Sequence, residues 1–180
     1  KVRWMPDYEK FGLETMTSDI WSLLRKRAFD VAAVTDKSLK VKIQGKDIDI
    51  KTFEQYADMY IGDKTESPRI VQSSDRWECV VGLSPLDEFS QVSFVNGIYT
   101  GKGGKHVDYI TNQICKKMIE YIKKKKKITV KAVTVKEQLM VFVNCMIENP
   151  AFDSQTKDYL NTPVSKFGSK IEISDKLIDK

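Results

Sequence analysis

The apolar run from Leu139 to Val143 is the feature that most constrains the fold of this chain. Its letters are LMVFV, it contains no charged residue, and Pro150 ends the segment that it opens. A strand with one face in water alternates apolar and polar residues, whereas a nearly continuous apolar run is typical of a strand buried on both faces. We therefore predict a buried strand at residues 139–143.

Strand and helix patterns are mixed along the rest of the chain without a regular βαβα order. Alternation predicts a hairpin in SLKVKIQGKDIDI and strands in RWECVVGLS, in FSQVSFVNGIYT and around Ile128 and Val130. Apolar residues at helical spacing predict three helices, the first through Ile20, Leu23, Leu24, Ala28 and Val31, the second through Phe53, Tyr56, Ala57 and Tyr60, and the third from Val107 to Ile122. This mixture predicts an α+β domain in which helices pack on one side of a mixed sheet.

The composition is that of a globular chain with a mild excess of positive charge. The 180 residues are 41% hydrophobic, and 30 Lys and Arg against 25 Asp and Glu leave a formal net charge of +5. No apolar stretch approaches the roughly 20 residues that span a bilayer, and no signal-peptide pattern opens the chain. We expect no membrane contact, and the first residue, Lys1, suggests an excised piece of a longer protein.

Few side chains support metal or nucleophilic chemistry. The cysteines Cys79, Cys115 and Cys145 are far apart in apolar or helical patterns, and His106 is the one histidine. We expect buried thiols in a reducing compartment and no metal site. Catalysis by His106 is disfavoured, because the sequence singles out no carboxylate or nucleophile to act with it.

The segment GKGGK, residues 101–105, lies between a predicted strand and a predicted helix, as phosphate-binding loops do. Its spacing matches neither G-x-x-x-x-G-K-[ST] nor G-x-G-x-x-G. On the residues alone, a flexible turn is the better interpretation.

Two cationic features leave alternatives open. The lysine tract, which we define as Lys123 to Lys127, is either the solvated end of a helix or a contact for phosphate backbones. Lys157 follows a short polar cluster, Asp153 to Thr156, just past the buried strand. It is either an ordinary loop lysine or a point charge for a phosphate, with the Gln155 amide as a neighbouring hydrogen-bond donor.

Two long motifs on either side of the lysine tract carry a family resemblance. SFVNGIYTGKGGKHVDYITNQI and FVNCMIENPAFDSQTKDYL closely resemble eukaryotic-type DNA topoisomerase II, a type IIA enzyme, and the match runs from MPDYEKFGL to FGSKIEIS. The matching part of that family is the transducer domain of the ATPase region. The resemblance implies a left-handed βαβ crossover, a transducer domain at residues 1–170, and at residues 171–180 the start of the connection toward the cleavage core.

The resemblance also implies a function and its residues. Enzymes of this family pass one DNA duplex through a break in another, using ATP and Mg²⁺ that are held mainly by a preceding GHKL domain. The QTK loop of the family touches the nucleotide and matches Gln155, Thr156 and Lys157, with Lys157 at the γ-phosphate as the catalytic residue. The family's DNA-contacting lysines match Lys123, Lys124 and Lys125, although here the basic run continues through Lys127.

The implied partners are double-stranded DNA, the GHKL ATP-binding domain and the cleavage core of the same chain. A homodimer in the nucleus is implied for the full-length enzyme. Because no GHKL pocket and no cleavage tyrosine region lie within these residues, we expect the fragment alone to be inactive. The alternative is a freestanding α+β domain that binds nucleic acid without sequence preference through its lysine tract.

Overall fold

The computed structural model describes residues 1–178, except for the side chains of residues 176 and 177. Within these residues the structure has nine strands: β1 Lys42–Ile43, β2 Lys46–Asp47, β3 Arg69–Ser74, β4 Trp77–Leu83, β5 Ser90–Val95, β6 Ile98–Tyr99, β7 Gly103–Gly104, β8 Leu139–Cys145 and β9 Tyr159–Leu160. The α-helices are α1 Ser18–Val34, α2 Phe53–Ile61, α3 Lys105–Lys126, α4 Ala132–Glu137 and α5 Asp175–Ile178. Single 3₁₀ turns lie at Glu9–Phe11 and Val164–Lys166.

The main sheet has five strands in the order β3-β4-β8-β5-β6. β8 pairs antiparallel with β4 and parallel with β5, so the apolar run at residues 139–143 lies at the centre of the sheet, as predicted. Parallel neighbours require a crossover, and α3 and α4 supply it between β5 and β8. The α+β class and the mixed sheet are confirmed, and the left hand of the crossover stays a prediction.

Helices cover both faces of this sheet, so the expectation of helices on one side is wrong. Val141 and Val143 of β8 pack in a core with α3 and α4, whereas Met140 and Phe142 pack in a second core with α1 and α2. Because side chains alternate across a strand, a strand that is apolar at every position needs cover on both sides. β4 shows the same pattern, with Val81 in the first core and Val80 in the second.

α1 buries only part of the face that its apolar spacing predicts, since Ile20, Leu24 and Ala28 are half-buried. Leu23 and Val31 are 52% and 51% exposed, whereas Asp30 is buried at 3%. The Asp30 carboxylate accepts hydrogen bonds from Lys26, Arg27 and the Tyr56 hydroxyl of α2. A buried charge needs such partners, and this polar cluster joins α1 to α2. Leu23 and Val31 remain on the outer side of α1.

One further local prediction is wrong, and one strand was not predicted. Ile128 and Val130 are not in a strand, and α4 follows them directly. β3 was not predicted, because its residues RIVQSS mix apolar and polar types without clear alternation, and it pairs only with β4 at the edge of the sheet. The predicted boundary at residue 170 stays a prediction, although Ile171 and Ile173 pack in the core beside α3.

Candidate functional site

The QTK loop, Gln155 to Lys157, lies between β8 and β9 in a turn held by its own hydrogen bonds, and its three side chains are exposed. The Asp153 carboxylate accepts from the Ser154 hydroxyl at 3.1 Å and from the Tyr159 amide at 3.3 Å. The Thr156 hydroxyl lies 2.9 Å from Ser154 Oγ and donates to Asp158 Oδ2 at 2.8 Å. Short polar side chains therefore define the shape of the loop.

Lys157 has an unusual backbone conformation. Its φ is 60°, in the left-handed region, and its amide donates to the Ser154 carbonyl at 3.1 Å. A residue with a Cβ pays about 1 kcal/mol or more for this conformation, and such positions cluster at functional sites. Lys157 Nζ lies 5.9 Å from the centre of the Phe152 ring and makes no ion pair with any described residue. The ammonium is thus free to meet an anion from outside.

Backbone contacts join the glycine-rich segment to the residues that directly follow the QTK loop. Gly103 and Gly104 of β7 pair in parallel with Tyr159 and Leu160 of β9, and the Lys102 amide donates to the Asp158 carbonyl at 2.9 Å. The predicted turn is confirmed at Gly101 and Lys102, whereas Gly103 and Gly104 form a short strand instead of continuing it. The pairing places the start of α3 beside the turn that carries Lys157.

Gly104 is the position where this contact is closest. Its φ is 139°, and a Cβ built there would lie 2.5 Å from the Leu160 nitrogen and 2.6 Å from the Leu160 oxygen. Only glycine fits both the conformation and the space. The GG pair in the sequence is thus explained by strand contact at the base of the QTK loop.

A buried polar cluster lies beneath the glycine-rich segment. Thr100 Oγ1 is 2.6 Å from Ser93 Oγ and 3.2 Å from His106 Nε2, and all three residues have no exposed surface. Burial lowers the pKa of His106 to about 3. The ring is neutral because a charged imidazole would need acceptors at both nitrogens, and Nδ1 has no hydrogen-bond partner among the described residues.

The buried His106 predicts a pH dependence of stability. In the unfolded chain the ring binds a proton below its ordinary pKa of 6.5, whereas the folded pKa is about 3. Stability is therefore full above pH 6.5 and falls with decreasing pH, by about 2 kcal/mol between pH 7.5 and pH 5. Urea unfolding at both pH values measures this. His106→Gln should lose about 2 kcal/mol less over the same interval, and an equal loss in both proteins would contradict the assignment.

The lysine tract lies at the other end of α3. Lys123 to Lys126 form its last turn, Lys127 caps it with a φ of 56°, and all five side chains are exposed. Consecutive helical residues are separated by about 100°, so the ammonium groups encircle the helix end, where the helix dipole also favours cations. With 22 residues in α3, the tract lies about 30 Å from the glycine-rich segment. The structure does not bring the two predicted sites together, but one helix links them.

Sequence reasoning missed the residues that support the QTK loop. Lys102, Asp158 and the Thr100 to His106 cluster have no local signal apart from the glycines themselves. Among residues 1–178, no group of three or more His, Cys, Asp or Glu side chains could hold a metal ion. Within the same range, no helix has the length and apolar character to cross a membrane. The three cysteines are buried thiols, as predicted.

Comparison with known proteins decides the family. The sequence model of the DNA gyrase B family matches residues 36–180. The chain belongs to the DNA gyrase B family. DNA topoisomerase 2 of Arabidopsis thaliana is 46% identical over 188 residues, which cover 100% of this chain and 13% of that protein. DNA topoisomerase 2-beta of Gallus gallus is 42% identical, covering 97% of this chain and 11% of that protein.

Solved structures of family members agree with this. The crystal structure of the ATPase region of Saccharomyces cerevisiae topoisomerase II has a TM-score of 0.86 and 38% identity, covering 97% of this chain and 45% of that one. The ATPase and transducer domains of DNA topoisomerase II from Balamuthia mandrillaris give 0.80 and 39%, covering 89% and 40%. The resemblance to eukaryotic-type topoisomerase II is confirmed. The chain spans about an eighth of the length of the curated relatives that it matches, and under half of the yeast ATPase-region chain.

Proposed function

We propose that this chain is the transducer module of an ATP-dependent type IIA DNA topoisomerase. In this function, the QTK loop completes an ATP site that is built mainly by a GHKL domain, and the module couples the state of the nucleotide to DNA strand passage. The observation that carries the proposal is the exposed Lys157, held in a left-handed turn beside the start of α3. A polar turn with a free ammonium on a rigid scaffold is suited to an anionic ligand.

The donors of the QTK loop fit a terminal phosphate. Lys157 offers an ammonium and Gln155 an amide, and neither side chain has a hydrogen-bond partner among the described residues. A fixed cation stabilises the charge that develops on the γ-phosphate during hydrolysis. The described residues offer no carboxylate cluster for Mg²⁺, so we assign the metal ion to the GHKL domain and the phosphates.

Loss of the terminal phosphate removes the partner of Lys157, and this is the proposed signal. A contact present with ATP and absent with ADP biases a two-state arrangement by its differential binding energy. β9, which follows the QTK loop, is paired with the segment that begins α3, and α3 ends in the lysine tract. We infer that a rigid helix connects the nucleotide sensor with the DNA contact.

The exposed apolar side chains on and near α1 support the proposal that another domain covers this part of the surface. Leu23, Val31 and the nearby Leu39 are each more than half exposed, as is Trp4 near the start of the chain. We infer that these exposed apolar side chains belong to a docking face. In the proposed enzyme the GHKL domain covers it, and the full-length protein is a nuclear homodimer.

DNA contact is assigned to Lys123, Lys124 and Lys125. Their charges are exposed and lie on one helix end, which suits phosphate backbones and carries no base readout. The tract alone also favours a second function, that of a freestanding nucleic-acid-binding domain without sequence preference. This alternative leaves the strained QTK loop unexplained.

The experiment that separates these functions uses a joined protein, which we define as this chain preceded by a GHKL nucleotide-binding domain. We expect ATP hydrolysis by the joined protein and none by this chain alone or by the GHKL domain alone. A GHKL domain that hydrolyses ATP equally well without this chain would contradict the transducer function. DNA binding with no effect on hydrolysis would favour the freestanding alternative.

The lysine tract predicts a salt-dependent, sequence-independent affinity for duplex DNA. Replacing Lys123, Lys124 and Lys125 with glutamine should lower the slope of log affinity against log salt by about 3, because each lysine releases about one counterion. The measurement is a DNA-binding titration at several salt concentrations.

A matched control for this test is Gln at three exposed lysines elsewhere, Lys37, Lys40 and Lys46, which changes the net charge equally. The control should alter the slope by less than 1. Equal effects of the two triple variants would show that net charge, rather than the tract, carries the binding.

A further inference from the structure

Thr100 is buried directly before the glycine-rich segment, and all its polar atoms form hydrogen bonds. Its backbone amide donates to the Ser93 carbonyl at 2.8 Å. Its carbonyl accepts from the backbone amide of Gly103 at 2.9 Å and from the side-chain amide of Gln91 at 3.3 Å. Its hydroxyl lies between Ser93 Oγ and His106 Nε2. Thr100 therefore ties β5, the glycine-rich segment and the first turn of α3 together.

The direction of the hydrogen bonds follows from the count of protons. A proton on His106 Nδ1 would be a buried donor without an acceptor among the described residues, so we assign the ring proton to Nε2, which donates to the Thr100 hydroxyl. The Thr100 hydroxyl then donates to Ser93 Oγ, and Ser93 Oγ donates to the Thr100 carbonyl at 3.2 Å. The neutral His106 ring then carries its proton on Nε2. This buried network satisfies every polar atom of Thr100 and holds Thr100 in one arrangement, although His106 Nδ1 has no partner among the described residues.

Backbone contacts connect the segment after Thr100 with the end of the QTK loop. Lys102, two residues after Thr100, donates its amide to the carbonyl of Asp158, the neighbour of Lys157. The Lys102 ammonium also lies 3.8 Å from Asp158 Oδ2, and that carboxylate orders the loop through Thr156. The position of Lys157 thus depends on a segment whose fixed end is Thr100.

We propose that Thr100 is a positioning residue for Lys157: its hydroxyl, held between Ser93 and His106, sets where the QTK loop presents its ammonium to the terminal phosphate. The inference rests on the proposed function of the loop. Thr100 has no exposed surface and cannot touch the nucleotide itself. Small displacements suffice for a large effect, since a misplacement of about 1 Å at a reacting group can cost about a hundredfold in rate.

The test compares Thr100→Val and Thr100→Ser in the joined protein. Valine keeps the shape but leaves Ser93 and His106 without the hydroxyl, whereas serine keeps the hydroxyl and loses one methyl group. We expect kcat for ATP hydrolysis to fall about tenfold in Thr100→Val and to stay within about threefold of the parent in Thr100→Ser. If Thr100→Val does not fold, Ser93→Ala removes one neighbour of the same hydroxyl and should lower kcat by a similar factor.

The decisive readout is the combination with Lys157→Ala. If Thr100 acts through Lys157, Thr100→Val should cause no further loss of kcat in the Lys157→Ala background, because interacting sites are not additive. Multiplying effects, or a folded Thr100→Val protein with parental kcat, would overturn the inference. Parental hydrolysis in Lys157→Ala alone would instead overturn the proposed function, so the two failures are distinguishable.

Discussion

Replacing Lys157 with alanine should lower ATP hydrolysis by the joined protein about a hundredfold. The reason is that a single preorganised cation at a reacting phosphate acts where charge develops, and removal of one such group typically costs about 10²-fold or more. The side chain is exposed and has no ion pair among the described residues, so stability should change by less than about 0.5 kcal/mol. Steady-state hydrolysis and urea unfolding of the same preparations measure both quantities.

Two variants serve as controls for this prediction. Lys166→Ala removes another exposed lysine from a nearby turn and should leave hydrolysis unchanged. Lys157→Arg keeps the charge but replaces a compact ammonium with a planar fork, so an intermediate rate is expected. The role given to Lys157 would be contradicted by parental hydrolysis in Lys157→Ala or by an equal loss in Lys166→Ala.

Replacing Gly104 with alanine should destabilise the domain by about 3 kcal/mol or more. The new Cβ would meet the Leu160 backbone at 2.5 Å, in a conformation that L-residues rarely adopt. Backbone atoms of β9 must move to relieve this clash, and the QTK loop moves with them. We therefore expect loss of ATP hydrolysis in the joined protein together with the loss of stability, as measured by urea unfolding.

Gly45→Ala separates the two causes of this effect. Gly45 also has a positive φ, 78°, but nothing lies within 4 Å of its Cβ position. Its replacement should cost about 1 kcal/mol through backbone strain alone and leave hydrolysis intact. Equal losses of unfolding free energy in the two variants would show that the clash of the new Cβ with the Leu160 backbone adds nothing to the cost of the substitution.

Local periodicity predicted the elements whose burial is decided within one segment. The run at residues 139–143 is apolar at every position, and α3 keeps an apolar stripe with Val107, Ile110 and Ile114 buried, so both were predicted correctly. β3 was missed because its pairing with β4 is set by the partner strand. The burial of Asp30 on α1 was not predicted, because it depends on a hydrogen bond from the Tyr56 hydroxyl of α2.

In the candidate site, too, the features that depend on distant segments could not be predicted from local sequence patterns. The residues alone left Lys157 between a solvated lysine and a phosphate contact, and only the family resemblance distinguished these alternatives. The pairing of Gly103 and Gly104 with β9 joins segments more than fifty residues apart, so no local pattern could reveal it. The buried cluster of Ser93, Thr100 and His106 likewise depends on the assembled fold.

The central claim is that Lys157 recognises the terminal phosphate, and nucleotide binding tests it most directly. Binding of ADP and of a non-hydrolysable ATP analogue is measured for the joined protein and its Lys157→Ala variant. A charged hydrogen bond contributes about 1.5–3 kcal/mol, so the variant should lose about tenfold or more in affinity for the triphosphate and keep its affinity for ADP. Equal losses for both nucleotides, or no loss for the triphosphate, would contradict the account.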